Sequence, residues 1–128
     1  MSTRSITHIH EHHSGHESVV CSFYRHCDGY PDGHGADLKA WLAGKRLING
    51  IGAGFDPARD FNRAGAMAVP LMAHIQEVSG CETIPTGESG YGEEYIYHVF
   101  FRDGRFEIAT EDVYEPTDNT TWRDGGPS

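Results

Sequence analysis

Two stretches near the start of the chain, Arg4–His12 and Glu17–His26, have the character of extended backbone, whose pleat sends alternate residues to opposite faces. Arg4–His12 predicts one strand, with Ile6, His8, His10 and His12 on one face and Ser5, Thr7, Ile9 and Glu11 on the other. Glu17–His26 predicts a second, rich in the β-formers Val19, Val20, Phe23 and Tyr24, with Val19, Cys21 and Phe23 on a core-facing side. The turn His13-Ser14-Gly15-His16 between them makes the pair a hairpin. The period then becomes helical: Leu38, Trp41 and Leu42 form one stripe of a short helix, Ala36–Ala43, which Gly44 ends. After a loop over 45–56, Asp56-Pro57 has the form of a helix start, with Asp60 as the alternative cap. This second helix runs to about Val78 and should bury Phe61, Ala64, Ala68, Leu71, Met72 and Ile75, with a kink or break at Pro70. A turn-rich stretch follows over 79–93. Glu94–Arg102 is then a strand in which Tyr95, Tyr97, Val99 and Phe101 alternate with Glu94, Ile96, His98 and Phe100. Asp103-Gly104 turns it into a partner strand, Arg105–Thr110. The order ββ-αα-ββ predicts an α+β fold, an antiparallel sheet with two helices packed on one face. Residues 1–114 make a single domain, and 115–128 a polar tail on which Trp122 alone has reason to dock.

Composition fits one core. With 128 residues and 38% hydrophobic content, the chain can bury roughly two-thirds of its unfolded surface without staples. No apolar run approaches the ~20 residues needed to cross a bilayer, and Met1–His10 lacks the apolar core of a signal peptide. Three cysteines (21, 27 and 81), an odd number with no C-x-x-C pair, point to a reducing, cytoplasmic compartment. The formal charge of −9 repels nucleic-acid backbone and anionic membrane, so neither is an expected partner. Eight arginines stand against two lysines, which suits bidentate grip on phosphate or carboxylate inside an acidic shell. Edge strands in so small a sheet favour a homo-oligomer.

Chemistry concentrates in Tyr24–Gly35, Y-R-H-C-D-G-Y-P-D-G-H-G. Its glycines let backbone approach a ligand, Pro31 stiffens a turn, and the helix start after His34 offers free N–H groups to an anion. The competing reading is a compact loop tied by its own Asp and His side chains. Period-two spacing also aligns His8, His10 and His12. Alternate strand residues stand about 7 Å apart, too wide for three of them to close a tetrahedral metal shell, so this face is expected as exposed and polar, with no metal and no cofactor. Gly50-x-Gly52-x-Gly54 lacks the lysine-serine of a phosphate loop and reads as a connector, although Lys45, Arg46, Arg59 and Arg63 flank it.

The chain resembles a family of small, largely uncharacterised proteins of bacteriophages and prophages. The likeness rests on Thr3-Arg4-Ser5-Ile6, on Tyr24–Gly35, on Asn49-Gly50, on Ala64-Gly65-Ala66-Met67-Ala68 and on Glu94-Tyr95, and it covers residues 2–110. Its specific part is 24–35, and the chain departs from the pattern in its extra hairpin histidines and in Pro70. The resemblance implies a shared fold and a phage origin and brings no activity with it. Joined to the chemistry of 24–35, that setting gives the expected function: sequestering an anionic nucleotide-type ligand, such as a cyclic nucleotide or cyclic ADP-ribose immune signal, to counter host defence. Arg4, Arg25 and the helix start at His34-Gly35 would hold phosphates, Tyr24 or Tyr30 would stack on the base, and Asp28 would orient ribose or base. His26, Asp28 and His34 acting as acid and base would instead make a small phosphodiesterase or hydrolase. A third reading is an acidic protein–protein inhibitor of a host factor, supported by the carboxylates of 82–94 and 103–124.

Overall fold

A computed structural model describes residues 3–13, 15–48 and 54–114. The tail 115–128 with Trp122, Ser14 and most of the glycine-rich connector lie outside the described residues. The elements are β1 (Ser5–His13), β2 (His16–Arg25), a π-helical turn (Pro31–Gly35) running into α1 (Ala36–Leu42), β3 (Arg46–Leu47), β4 (Asp60–Phe61), α2 (Ala64–Val78), β5 (Glu82–Thr83), β6 (Tyr95–Arg102) and β7 (Arg105–Asp112). They build an α+β fold around a five-stranded sheet of order β5-β2-β1-β6-β7, with β3 and β4 as a small parallel ribbon beside it.

Both expected hairpins form. β1 pairs antiparallel with β2, from Ser5 opposite Arg25 to His13 opposite His16. β6 and β7 turn on Asp103 and Gly104, whose φ values of 53° and 81° match the two-residue turn that suits strand twist. The sheet is mixed, however, and not wholly antiparallel: β1 and β6 run parallel, from Ser5 beside Tyr95 to Ile9 beside Val99. The cause is the route of the chain. β2 ends where β1 began, and the helical excursion returns the chain to that same end, so β6 sets off in β1's direction.

The helices pack on one face of the sheet. Ile9, Phe23, Tyr97 and Val99 meet Leu38 and Leu42 of α1 and Ala64, Met67, Ala68, Leu71 and Ile75 of α2, with Phe61 between them. A bulge where Ile9 pairs with Cys21 but His10 with Val19 adds one residue to β2. Val20, and not the expected Val19, therefore packs against the core.

α2 starts at Ala64, seven residues later than an N-cap at Asp56 suggests. The Asp56 carboxylate accepts from the Ala58 amide at 3.0 Å, a local turn. Asp60 is drawn into β4 by Arg46 and Arg59. The cap comes instead from another strand: Glu11 Oε1 accepts the Ala64 amide at 3.0 Å. Pro70 lies inside one continuous helix. Its missing donor is tolerated because Met67 and Ala68 before it and Leu71 and Ile75 after it are held on the same core.

The opposite face is not the exposed polar surface expected. His8 and His10 are buried, and the segment 84–93 crosses the sheet there: the Ile84 amide bonds Ser22 O, and the Gly87 amide bonds Ser22 Oγ. Among the described residues no helix is long and apolar enough to cross a membrane.

Candidate functional site

Arg25 closes β2 with the same parity as Phe23, so its side chain enters the helix-covered side. Only 3% of it is exposed. Its Nε donates to Cys27 O at 2.7 Å, and its Nη1 donates to Asp37 Oδ2 at 2.9 Å and to His34 Nδ1 at 3.1 Å. His34 is fully buried, with its ring edge-on to Phe23 and Tyr97. A guanidinium only donates, so His34 Nδ1 is the acceptor and Nε2 carries the hydrogen, donating to Thr7 Oγ1 at 2.7 Å. Burial, helped by the adjacent Arg25 charge, pushes His34 down to about 3. This imidazole is a neutral structural strut at physiological pH.

The glycines of the segment serve close packing. The Gly29 amide bonds Thr3 O, and its carbonyl accepts the Tyr97 hydroxyl at 2.6 Å. A Cβ on Gly29 would lie 2.8 Å from Ser5 Cβ, and one on Gly33 would lie 2.5 Å from Asp28 O. The His34 amide bonds Asp28 O, which fixes Asp28 at φ 59°. At the helix start, the Ala36 amide turns back to the Pro31 and Gly33 carbonyls. The expected anion site at His34-Gly35 is thus occupied by the chain itself, because the π-helical turn runs without a break into α1.

The eight expected ligand residues therefore divide. Arg25, His34 and Gly35 lie on the helix-covered side and are used in folding. Asp28 and Tyr30 are exposed at the loop tip, where the Tyr30 hydroxyl reaches Asp28 Oδ1 at 3.5 Å. Arg4, Tyr24 and His26 have the parity of Ile6 and face the other way. The Tyr24 hydroxyl bonds His26 Nδ1 at 3.0 Å, and the Tyr24 ring lies 6.2 Å from that of Tyr91. Tyr91, a residue the sequence reading passed over, bonds Glu88, whose carboxylate holds its phenol above the usual value. Arg4 is exposed and lies against Gly92, so close that a Cβ there would sit 2.6 Å from its Nη1.

The flanking cations are largely committed elsewhere. Arg46 and Arg59 both bind the buried Asp60, and hydrogen bonds from Arg59 and then Arg46 hold that carboxyl well below the usual carboxylate range. Lys45 donates to Trp41 O and lies over the Trp41 ring. Arg63 borders an open groove of about 310 Å3 with Glu11, Val20 and Asn62. A second groove, about 520 Å3, lies between the end of α1 and β7, with Leu42, Phe106 and Ile108 as floor and Lys39 and Arg105 on its rim. Among the described residues no group of three or more His, Cys, Asp or Glu side chains is arranged to hold a metal. Burial raises the Cys21 and Cys81 thiols, the reverse of nucleophile activation.

Sequence reasoning also missed Thr7, Asp37 and Tyr97, the partners that draw Arg25, His34 and Gly29 inward. For Thr7 and Tyr97 the signal was available, since both share strand parity with core residues. Comparison with protein-family models, with curated proteins and with solved structures returns no match.

Proposed function

We propose that this chain is a binding protein without catalytic chemistry, and that an anionic nucleotide-type ligand docks on the face formed by Arg4, Tyr24, His26 and Tyr91. The observation that carries this reading is the exposed Arg4 guanidinium at Gly92, beside the Tyr24–Tyr91 pair, while Arg25 is spent inside the fold. Tyrosine faces accept a base by stacking, and an arginine fork matches a phosphate. The phage setting makes host immune nucleotides the first ligands to try. Hydrolysis finds less support, because its acid–base pair would need His34, which is buried and neutral.

Calorimetry against a panel of cyclic oligonucleotides and cyclic ADP-ribose variants tests the proposal. Binding to one member, weakened about tenfold or more by Tyr24→Ala and also by Arg4→Ala with unchanged melting temperature, is the expected outcome, and the ligand should be recovered intact after heat release. Absence of heat with every member ends the proposal. A cleaved product would favour the hydrolase instead.

A further inference from the structure

A helix on the surface of a small domain normally turns apolar residues to the core and charge to water. α2 does not. In a chain that is 23% charged, its stretch from Ala64 to Gln76 contains no Lys, Arg, Asp or Glu. Ala64, Met67, Ala68, Leu71 and Ile75 fill the core side. The flanks are taken as well: the His74 ring stacks on Trp41 of α1, and Met72 meets Cys21 of β2 and Cys81. At about 100° per residue, the crest facing away from the sheet carries Ala66, Val69 and Ala73. All three are exposed, Val69 at 66%. A helix apolar on every side has the make-up of one that is covered.

The charges that belong to this crest stand at its two ends, Arg63 at the N-cap and Glu77 in the last turn. Both are exposed, and among the described residues neither makes an ion pair. Each has the wrong sign for its place. The N-terminal end of a helix is its positive pole and the C-terminal end its negative one, yet the first turn of α2 holds no acid and the last no base. Within one copy these two charges are unfavourable. A second copy lying antiparallel across the crest reverses that, because it brings Glu77 to the N-terminal end and Arg63 to the C-terminal end.

We infer that two copies of this chain pair through the outer faces of α2, antiparallel, about a two-fold axis between Val69 and Pro70. In that register Ala66 stands opposite Ala73 of the second copy, and Arg63 stands within one residue of the second copy's Glu77. The alanines let the helix axes approach to the near end of the usual range of about 8–10 Å. The net charge of −9 opposes any pairing, and this crest opposes it least, since the one carboxylate it brings is matched by an arginine. Area sets the strength. A strip about 21 Å long and about 12 Å wide comes to roughly 250 Å2 per copy, well under the roughly 800 Å2 of a standard interface. The pair is therefore a weak one, forming at roughly tens of micromolar and above. Because α2 packs on the sheet face that carries Ile9 and Phe23, the face of Arg4 and Tyr24 stays open in both copies.

Sedimentation velocity of the full chain, from about 10 μM to about 1 mM at low salt, tests this. A monomer–dimer equilibrium is the expected result. Val69→Asp should abolish it while leaving the circular dichroism spectrum unchanged. Arg63→Glu and Glu77→Arg each create two like-charge contacts in a symmetric pair and should weaken it about fivefold or more. The double variant should recover wild-type association, and an equimolar mixture of the two single variants should pair better than either alone. Glu77→Arg carries the charge test by itself should Arg63→Glu disturb the neighbouring cap at Glu11. A monomer at every concentration would overturn the inference. So would a dimer indifferent to Val69→Asp, or a folded double variant no better than the singles, which would mean that the helices do not meet antiparallel.

Discussion

His34 is buried, uncharged and bonded at both nitrogens, so the fold should weaken as its imidazole is asked to take a proton. Its ordinary value is 6.5, and the fold pushes it to about 3. Below pH 6.5 the unfolded chain therefore binds a proton that the folded chain refuses, and stability falls with falling pH by about 1.4 kcal/mol per unit from this group alone. Between pH 6.5 and 4.5 that amounts to about 2–3 kcal/mol, a large part of the roughly 5–15 kcal/mol typical of a domain. His34→Gln keeps an acceptor for Arg25 and a donor for Thr7 but cannot be protonated. Urea unfolding of both proteins at pH 7.0 to 4.5 isolates the effect, because the other histidines and carboxylates are common to both and cancel in the difference. At pH 7 the variant should be less stable, by about 1–3 kcal/mol, from imperfect replacement of a packed ring. By pH 4.5 the gap should have closed by about 2 kcal/mol or have reversed. Parallel stability curves over this window would refute the reasoning, for they would mean that the folded protein protonates His34 as readily as the unfolded chain does. That result would also restore His34 as an accessible ligand group.

Two further substitutions probe the same construction. Gly33→Ala puts a Cβ 2.5 Å from the Asp28 carbonyl, a backbone atom held by the His34 amide, so thermal unfolding should show a loss of about 2 kcal/mol or more. Glu11→Ala removes the acceptor for the first amide of α2 and should cost about 1 kcal/mol in urea unfolding, with faster hydrogen exchange confined to the first turn of that helix.

Much of the architecture was legible because strand patterning is local. The strand stretches 4–12, 17–26 and 94–110, and the Asp103-Gly104 turn, required no knowledge of the rest of the chain. The direction in which the two hairpins join was not legible, since it depends on where a helical connection of some seventy residues returns. The start of α2 was misread for a related reason. Asp56-Pro57 carries a strong local helix signal, but Asp60 has two arginines within reach, one of them Arg46 from fourteen residues back. These ion pairs, which hold a buried Asp60 carboxylate between two half-exposed arginines, pull that stretch into β4 before the helix can begin. The surroundings of His8 likewise involve the distant segment 84–93, whose Gly87 amide bonds Ser22 Oγ, the hydroxyl that also meets His8 Nδ1.

The division of the Tyr24–Gly35 segment needed no distant information. Tyr24 and Arg25 are adjacent at the end of a strand, and a strand's pleat sends neighbours to opposite faces. That alternation forbids a pocket that uses Tyr24 for stacking and Arg25 for phosphate. Phe23 is the best core residue of β2, and it shares Arg25's parity. Arg25 therefore had to enter the covered side, and a buried guanidinium needs acceptors close by. Asp37, the Cys27 carbonyl and a neutral His34 supply them. The polar density that made the segment look like a ligand cradle is thus, on its inner half, the set of partners one buried arginine requires. Only the residues with Tyr24's parity remain for a guest, which is why the proposed docking face contains Arg4 and His26 and excludes Arg25.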